Sequence, residues 1–207
     1  MAMARVDAIR FKVAAFLNLG RDHLDFHHTV EEYFEAKASL FTPEHTRAAV
    51  VWIDDEHGRQ VAARARAAGL PVATAGTGDE ADYRLTGYEP VVPLGGRARL
   101  RTPSEEVTVS LELPGWHNMV DAAVAIAMLE RAGVPAGLAL PGLAQAQVPG
   151  RMQVLPLPGN APTVIVDFAH TPQAVAATLE ALQGFAQVIT VVGCGGGRGP
   201  DKRPMMG

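Results

Sequence analysis

The chain has 207 residues, 48% of them apolar and 19% charged, with a net charge of −4. This is the make-up of a core-forming globular protein, with room for one large domain or one and a half ordinary ones. Acids and bases are interspersed, so no basic stripe marks a nucleic-acid surface, and no window approaches the 18 uninterrupted apolar residues of a membrane helix. The single cysteine, Cys194, has no internal disulfide partner. A reducing compartment, the cytoplasm, is therefore expected, and "MAMARVDAIRFK" contains no signal-peptide pattern.

"FKVAAFL", residues 11 to 17, reads as a short buried strand that ends in a loop at Asn18 and Gly20. Thr29 then opens a helix through a capping box, in which Thr29 accepts from an early amide and Glu32 reaches back to the cap. "AAVVWI" (48 to 53) is a second buried strand, "GRQVAARARAAG" a helix with Gly69 as its left-handed cap, and "LPVATAG" a third strand. This alternation indicates parallel βαβ units. Residues 82 to 113 change to short alternating segments, expected as antiparallel strands or hairpins at the sheet edge. "NMVDAAVAIAMLERAG" is a helix ending at Gly133, and a shorter one is expected over Leu138 to Ala146. "VPGRMQVLPLPGNAP" (148 to 162) reads as a linker. Beyond it come strand "TVIVDF", helix "PQAVAATLEALQG" and strand "QVITVVG", then the glycine-rich "GCGGGRGPDKRPMMG". Two strands and one helix do not cover both faces of a parallel sheet.

The chain has only three lysines, at 12, 37 and 202. Val30, Tyr33, Phe34, Lys37 and Phe41 share one helical stripe, so Lys37 falls on the apolar side. Two readings stand. Either its stem packs while the ammonium snorkels to water, or the amine points into a site. A desolvated amine is nucleophilic near neutral pH and adds carbon dioxide to give a carbamate, an oxygen ligand suited to a hard cation such as Mg²⁺. The loop "NLGRDHLDFHH" follows a strand, where ligands gather in open α/β sheets. Of its residues, His23 lies nearest the strand end, while Asp22, Asp25, His27 and His28 suit outer or surface positions. By spacing alone the cluster also suits a metallohydrolase, though without the H-E-x-x-H helix geometry.

"NLGRDHLDFHHTVEEYFEAKASLF" resembles the central domain of the Mur ligases. It is most similar to the branch that adds the third residue to UDP-N-acetylmuramoyl-L-alanyl-D-glutamate (the MurE type). The resemblance implies a Mg²⁺-binding His23 and a carbamylated Lys37 that together bind metal and support acyl-phosphate chemistry. "LPGWHNMVDAAVAIAML" matches G-x-x-N-x-x-N, implying that His117, Asn118 and Asp121 meet the adenine end of ATP, with Asp121 standing where the pattern has Asn. "VPGRMQ" matches the hinge whose arginine, Arg151, reaches the nucleotide. "VDFAHTPQAV" matches D-Y-A-H-x-P and gives Asp167 the ribose role, with His170 beside it. "GCGGGRGPDKRPMMG" matches the loop whose arginine, Arg198, holds the incoming amino acid's carboxylate; Gly197 and Gly199 replace the aspartates that flank it in the pattern.

The fold this implies is α/β. Residues 1–149 would be part of a central P-loop-type ATPase domain, mostly parallel with antiparallel edge strands. Residues 150–207 would begin a Rossmann-like C-terminal domain. The implied cofactors are ATP and Mg²⁺. The implied partners are UDP-MurNAc-dipeptide and diaminopimelate or lysine, with no nucleic acid and no membrane. G-x-x-x-x-G-K-[ST] does not occur, because no lysine follows a glycine and precedes Ser or Thr. The chain is therefore expected to be the middle of a ligase, inactive alone: a fragment, a split gene product or a truncated reading frame, with an adjacent frame as one source of the missing segments. The other expectations are a non-catalytic remnant or binding module of the same fold, and a related polyglutamate-type ligase.

Overall fold

The computed structural model describes residues 8–20 and 26–193. Its main sheet has six strands in sequential order. β1 (Ala14–Phe16), β2 (Ala49–Trp52), β3 (Val72–Gly76) and β4 (Tyr83–Pro90) pair in parallel, and β5 (Gly96–Arg101) and β6 (Glu106–Leu111) add antiparallel to β4. The expected edge hairpins are present, but their first strand belongs to the parallel half. No helix joins β3 to β4. A parallel pair usually needs a longer crossover; here β4 overlaps only Ala75 and Gly76 at the end of β3 and then runs on beyond it.

Both faces of the parallel strands are covered, as their unbroken apolar runs require. One face carries α1 (Val30–Ala38) and α2 (Glu56–Ala67), packed on Ala14, Phe16, Ala49, Val51 and Ile53. The other carries α3 (Trp116–Arg131), which buries Met119, Ala122, Ala123, Ile126 and Ala127 against Val50, Trp52, Ala73, Leu85 and Leu100. A shorter helix, α4 (Ala136–Ala144), follows; it starts two residues earlier than expected and encloses Pro141.

The helix starts follow side-chain chemistry. Thr29 Oγ1 accepts from the Glu32 amide at 3.1 Å, as the capping box predicts, but Glu32 reaches back to the His28 amide (2.9 Å), one residue beyond the cap. Asp55 Oδ1 caps α2 from the Gly58 amide at 2.7 Å. At nine residues α1 is too short to persist unaided. Phe34 and Phe41 hold it by meeting Phe16 edge-to-face at 6.5 and 6.2 Å.

The C-terminal segment differs more from expectation. The stretch read as a linker contains β7 (Gln153–Leu155), which pairs antiparallel with β8 (Val164–Val166), and α5 (Pro172–Glu180) follows. Residues 187–193, expected as a strand, form none. Ile189 is 83% exposed and Val191 96%: β-branched residues favour a strand only where a neighbouring strand and a packing face receive them. The segment rests on the main domain through a small cluster of Leu113, Met152 and Leu182, flanked by Leu94, Ile165, Ala181 and Phe185.

Gly58 shows how tightly α2 is laid on β2, since a Cβ there would lie 1.9 Å from the Trp52 carbonyl oxygen. Helix propensity favours alanine over glycine by about 1 kcal/mol, but the clash forces the helix off the strand. Gly58→Ala is expected to destabilise the fold by about 2 kcal/mol in urea denaturation; a stabilised variant would contradict this packing.

Candidate functional site at the carboxyl edge of the sheet

The carboxyl ends of β1, β2 and β3 lie at one edge, and the first turn of α3 opens there. Lys37 approaches this edge from α1. Its Nζ donates to the Asn18 carbonyl oxygen at 3.1 Å, just beyond β1. It also stands 4.9 Å from the Tyr33 ring centre and 6.0 Å from that of Phe16. His27 stacks on Tyr33 at 5.2 Å. The side chain is half-buried and lines a cleft of about 260 Å³ with Ala15, Phe16, Leu17, Asn18, Leu40 and Phe41. The stem is packed as a snorkelling lysine's would be, while the amine turns to the strand end. Lys12, by contrast, caps the C-terminus of α3, donating to the Ala132 carbonyl at 2.6 Å, where a cation suits the helix dipole. His23 and Arg198 lie outside the described residues, as do Asp22 and Asp25. Among the described residues, no three His, Cys, Asp or Glu side chains converge as a metal site.

At the next strand end, Asp54 accepts from the Thr77 amide (2.9 Å) and hydroxyl (3.0 Å), tying the end of β2 to that of β3. The α3 start is built on Gly115. Its φ of +99° is a left-handed conformation, and a Cβ there would sit 2.8 Å from the His117 ring and 3.0 Å from Ala181. The Gly115 amide donates to the Tyr88 hydroxyl at 3.0 Å. Asn118 Nδ2 donates to the Pro114 carbonyl at 2.6 Å, bracing the turn. Asp121 follows His117 by one turn. Its side chain reaches solvent, yet the protein mass around its carboxyl raises the pKa, and His117 partly offsets that. The solvent access keeps the effect small.

Arg151 and Asp167 each engage neighbours within the C-terminal segment. The Arg151 guanidinium lies over Phe168, 4.9 Å from its centroid. Asp167 Oδ2 accepts from the Met152 amide at 2.9 Å, and Oδ1 from the Ala169 amide (2.8 Å) and the Thr178 hydroxyl (3.3 Å). Met152 has φ +45°, a conformation that costs a non-glycine residue about 1–3 kcal/mol unless its surroundings enforce it. Asp167 supplies part of that enforcement. Lys37, His117, Asn118 and Asp121 thus approach the carboxyl edge, while Arg151 and Asp167 stand at the junction with the C-terminal segment. Tyr33, Phe16 and Asn18 as partners of Lys37, and Phe168 beneath Arg151, went unread in the sequence. Only Tyr33, on the Lys37 stripe, carried a signal.

This architecture defines an α/β protein whose candidate groups Lys37, His117, Asn118 and Asp121 lie where parallel strands end, the usual ligand edge of such sheets. Residues 1–129 match the Mur ligase middle domain, and residues 150–207 the Mur ligase glutamate ligase domain. The chain belongs to the Mur ligase family. It is similar to the UDP-N-acetylmuramoyl-L-alanyl-D-glutamate–2,6-diaminopimelate ligase of Corynebacterium efficiens, with 42% identity over 214 residues, covering 100% of this chain and 40% of that protein. The enzyme of the same name from Clostridioides difficile is 37% identical over 210 residues, covering 100% and 43%. A solved structure of a ligase of this name superposes with a TM-score of 0.72 at 32% identity, over 94% of this chain and 40% of that one. The chain thus spans about two fifths of the length of these relatives.

Two substitutions probe the site. Asp167→Ala leaves three donors without their acceptor and is expected to cost about 1–3 kcal/mol, with faster hydrogen exchange at the Met152 amide; unchanged exchange there would show that Asp167 does not hold the hinge. For Asp121, a carboxyl whose pKa is higher folded than unfolded makes the fold less stable as pH rises past the unfolded value, and the penalty is absent in acid. Asp121→Asn is therefore expected to gain a few tenths of a kcal/mol at neutral pH and nothing below the ordinary aspartate range, as read by urea denaturation at the two pH values.

Proposed function

We propose that the chain is the central part of an ATP-dependent amide ligase that adds diaminopimelate to UDP-MurNAc-L-Ala-D-Glu. The observation that carries this reading is the similarity to ligases of that name along the whole chain, at 42% identity in one case. The relatives' substrate favours diaminopimelate over lysine. The placement of Lys37 beside the end of β1 supports the same reading.

In this reading a carboxylate of the dipeptide's glutamate attacks the γ-phosphorus of ATP, ADP leaves, and an acyl phosphate forms. The amine of the incoming amino acid then attacks the acyl carbon, expelling phosphate and losing a proton. Such chemistry depends on positioning and charge neutralisation around the phosphates. Lys37 as an ammonium repels a metal ion. As a neutral amine it adds carbon dioxide, releasing one proton, and the resulting carbamate would offer oxygen to Mg²⁺ together with His23. Bound there, Mg²⁺ would neutralise phosphate charge. The packing of Phe16 and Tyr33 around the Lys37 stem orients that carbamate. His117, Asn118 and Asp121 take the base end of the nucleotide, Arg151 reaches toward it across the hinge, and Asp167 serves its ribose. Arg198 holds the carboxylate of the incoming amino acid. We place the boundary between the two domains at 149/150.

The sequence G-x-x-x-x-G-K-[ST] is not among these 207 residues, so they alone are expected to release no phosphate from ATP with dipeptide and diaminopimelate present. Ordinary turnover by the isolated chain would refute that. For Lys37, incubation with ¹³C-bicarbonate is expected to give a carbamate carbon signal in the wild type that Lys37→Arg lacks. An identical spectrum from the two proteins would remove the carbamate from the scheme.

A further inference from the structure

Trp116 opens α3 at the carboxyl edge, and the G-x-x-N-x-x-N pattern leaves its position unassigned. It is 39% exposed, a large apolar surface to leave open. Its ring is nevertheless held on two sides. Tyr88 meets it edge-to-face at 5.8 Å and 75°, and Trp52 at 6.5 Å and 72°. Both neighbours are themselves fixed. Trp52, the last residue of β2, is only 7% exposed, and the Tyr88 hydroxyl accepts from the Gly115 amide at 3.0 Å. The left-handed Gly115 directs the chain so that Trp116 begins the helix here.

An aromatic ring immobilised before any ligand arrives loses little entropy when a planar group settles on it. Nucleotide bases are the planar groups that such rings hold, by stacking of π-faces. We propose that Trp116 is a base-stacking residue of this edge, taking the purine of a nucleotide in preference to a pyrimidine. The inference rests on the nucleotide reading above and adds a binding residue to it. A purine presents the larger π-face, which separates the base of ATP from the uracil of the UDP-linked substrate.

The test uses the whole chain with ADP and UDP as probes. Tryptophan emission, excited beyond nucleotide absorption, is followed during titration, and labelled ADP is measured by equilibrium dialysis. ADP is expected to quench emission saturably, and UDP only at much higher concentration. Trp116→Leu is expected to weaken ADP binding roughly tenfold, while Trp116→Phe keeps most of it. Trp52→Phe, which leaves Trp116 as the one emitter, keeps the quench, a result that depends on no change at position 116. Trp116→Leu binding ADP as the wild type does, loss of the quench in Trp52→Phe, or equal response to UDP would each overturn the assignment. A wild-type chain that binds no ADP at all would remove the nucleotide reading itself, and the stacking role with it.

Discussion

Phe16 is the contact on which the site depends. It is the last residue of β1, 2% exposed, and it meets both Phe34 and Phe41 edge-to-face. Such aromatic pairs contribute about 0.5–1.5 kcal/mol each beyond the area they bury, a large share of what a short helix needs to stay docked. Because Phe34 and Phe41 bracket Lys37, fixing them on Phe16 also fixes where the amine emerges. The amine then meets the first carbonyl beyond Leu17, that of Asn18. One apolar cluster therefore converts a helical stripe into a directed functional group.

The opposite face contributes through a comparable arrangement. Trp52 ends β2 as Phe16 ends β1, but with its side chain toward α3, because successive strand residues alternate faces. Trp116 packs on it and Tyr88 packs on Trp116, and the left-handed Gly115 allows Ala181 of the C-terminal segment to approach the same turn. The junction between the two parts of the chain thus lies against the start of α3. Asp167 and Met152 tie that junction together through the hydrogen bond between them.

The main domain was largely readable in advance. Apolar runs bounded by Gly, Pro and Asp mark β1 to β3, and Thr29 announces its helix. The reading faltered where an element depends on a partner distant in sequence. Residues 187–193 have strand composition but no paired neighbour among the described residues, and β7 hides in a Pro- and Gly-rich stretch that becomes a strand because β8 lies beside it. Asp167, singled out by its motif, also has a structural task that its motif did not announce, accepting from three donors of the protein.

By itself the sequence determined the βαβ order, the apolar side of α1 that carries Lys37, and the run of motifs that the family shares. These are properties of local periodicity and of residue spacing along the chain. Only the tertiary structure decided that the Lys37 amine meets Asn18 and Tyr33, that Phe168 lies under Arg151, and that Trp116 stands braced on Trp52 and Tyr88. Those pairings join residues as many as 64 positions apart, from Trp52 to Trp116 (116 minus 52). Contacts of that kind exist only once the sheet has set its strand order and each helix has chosen a face.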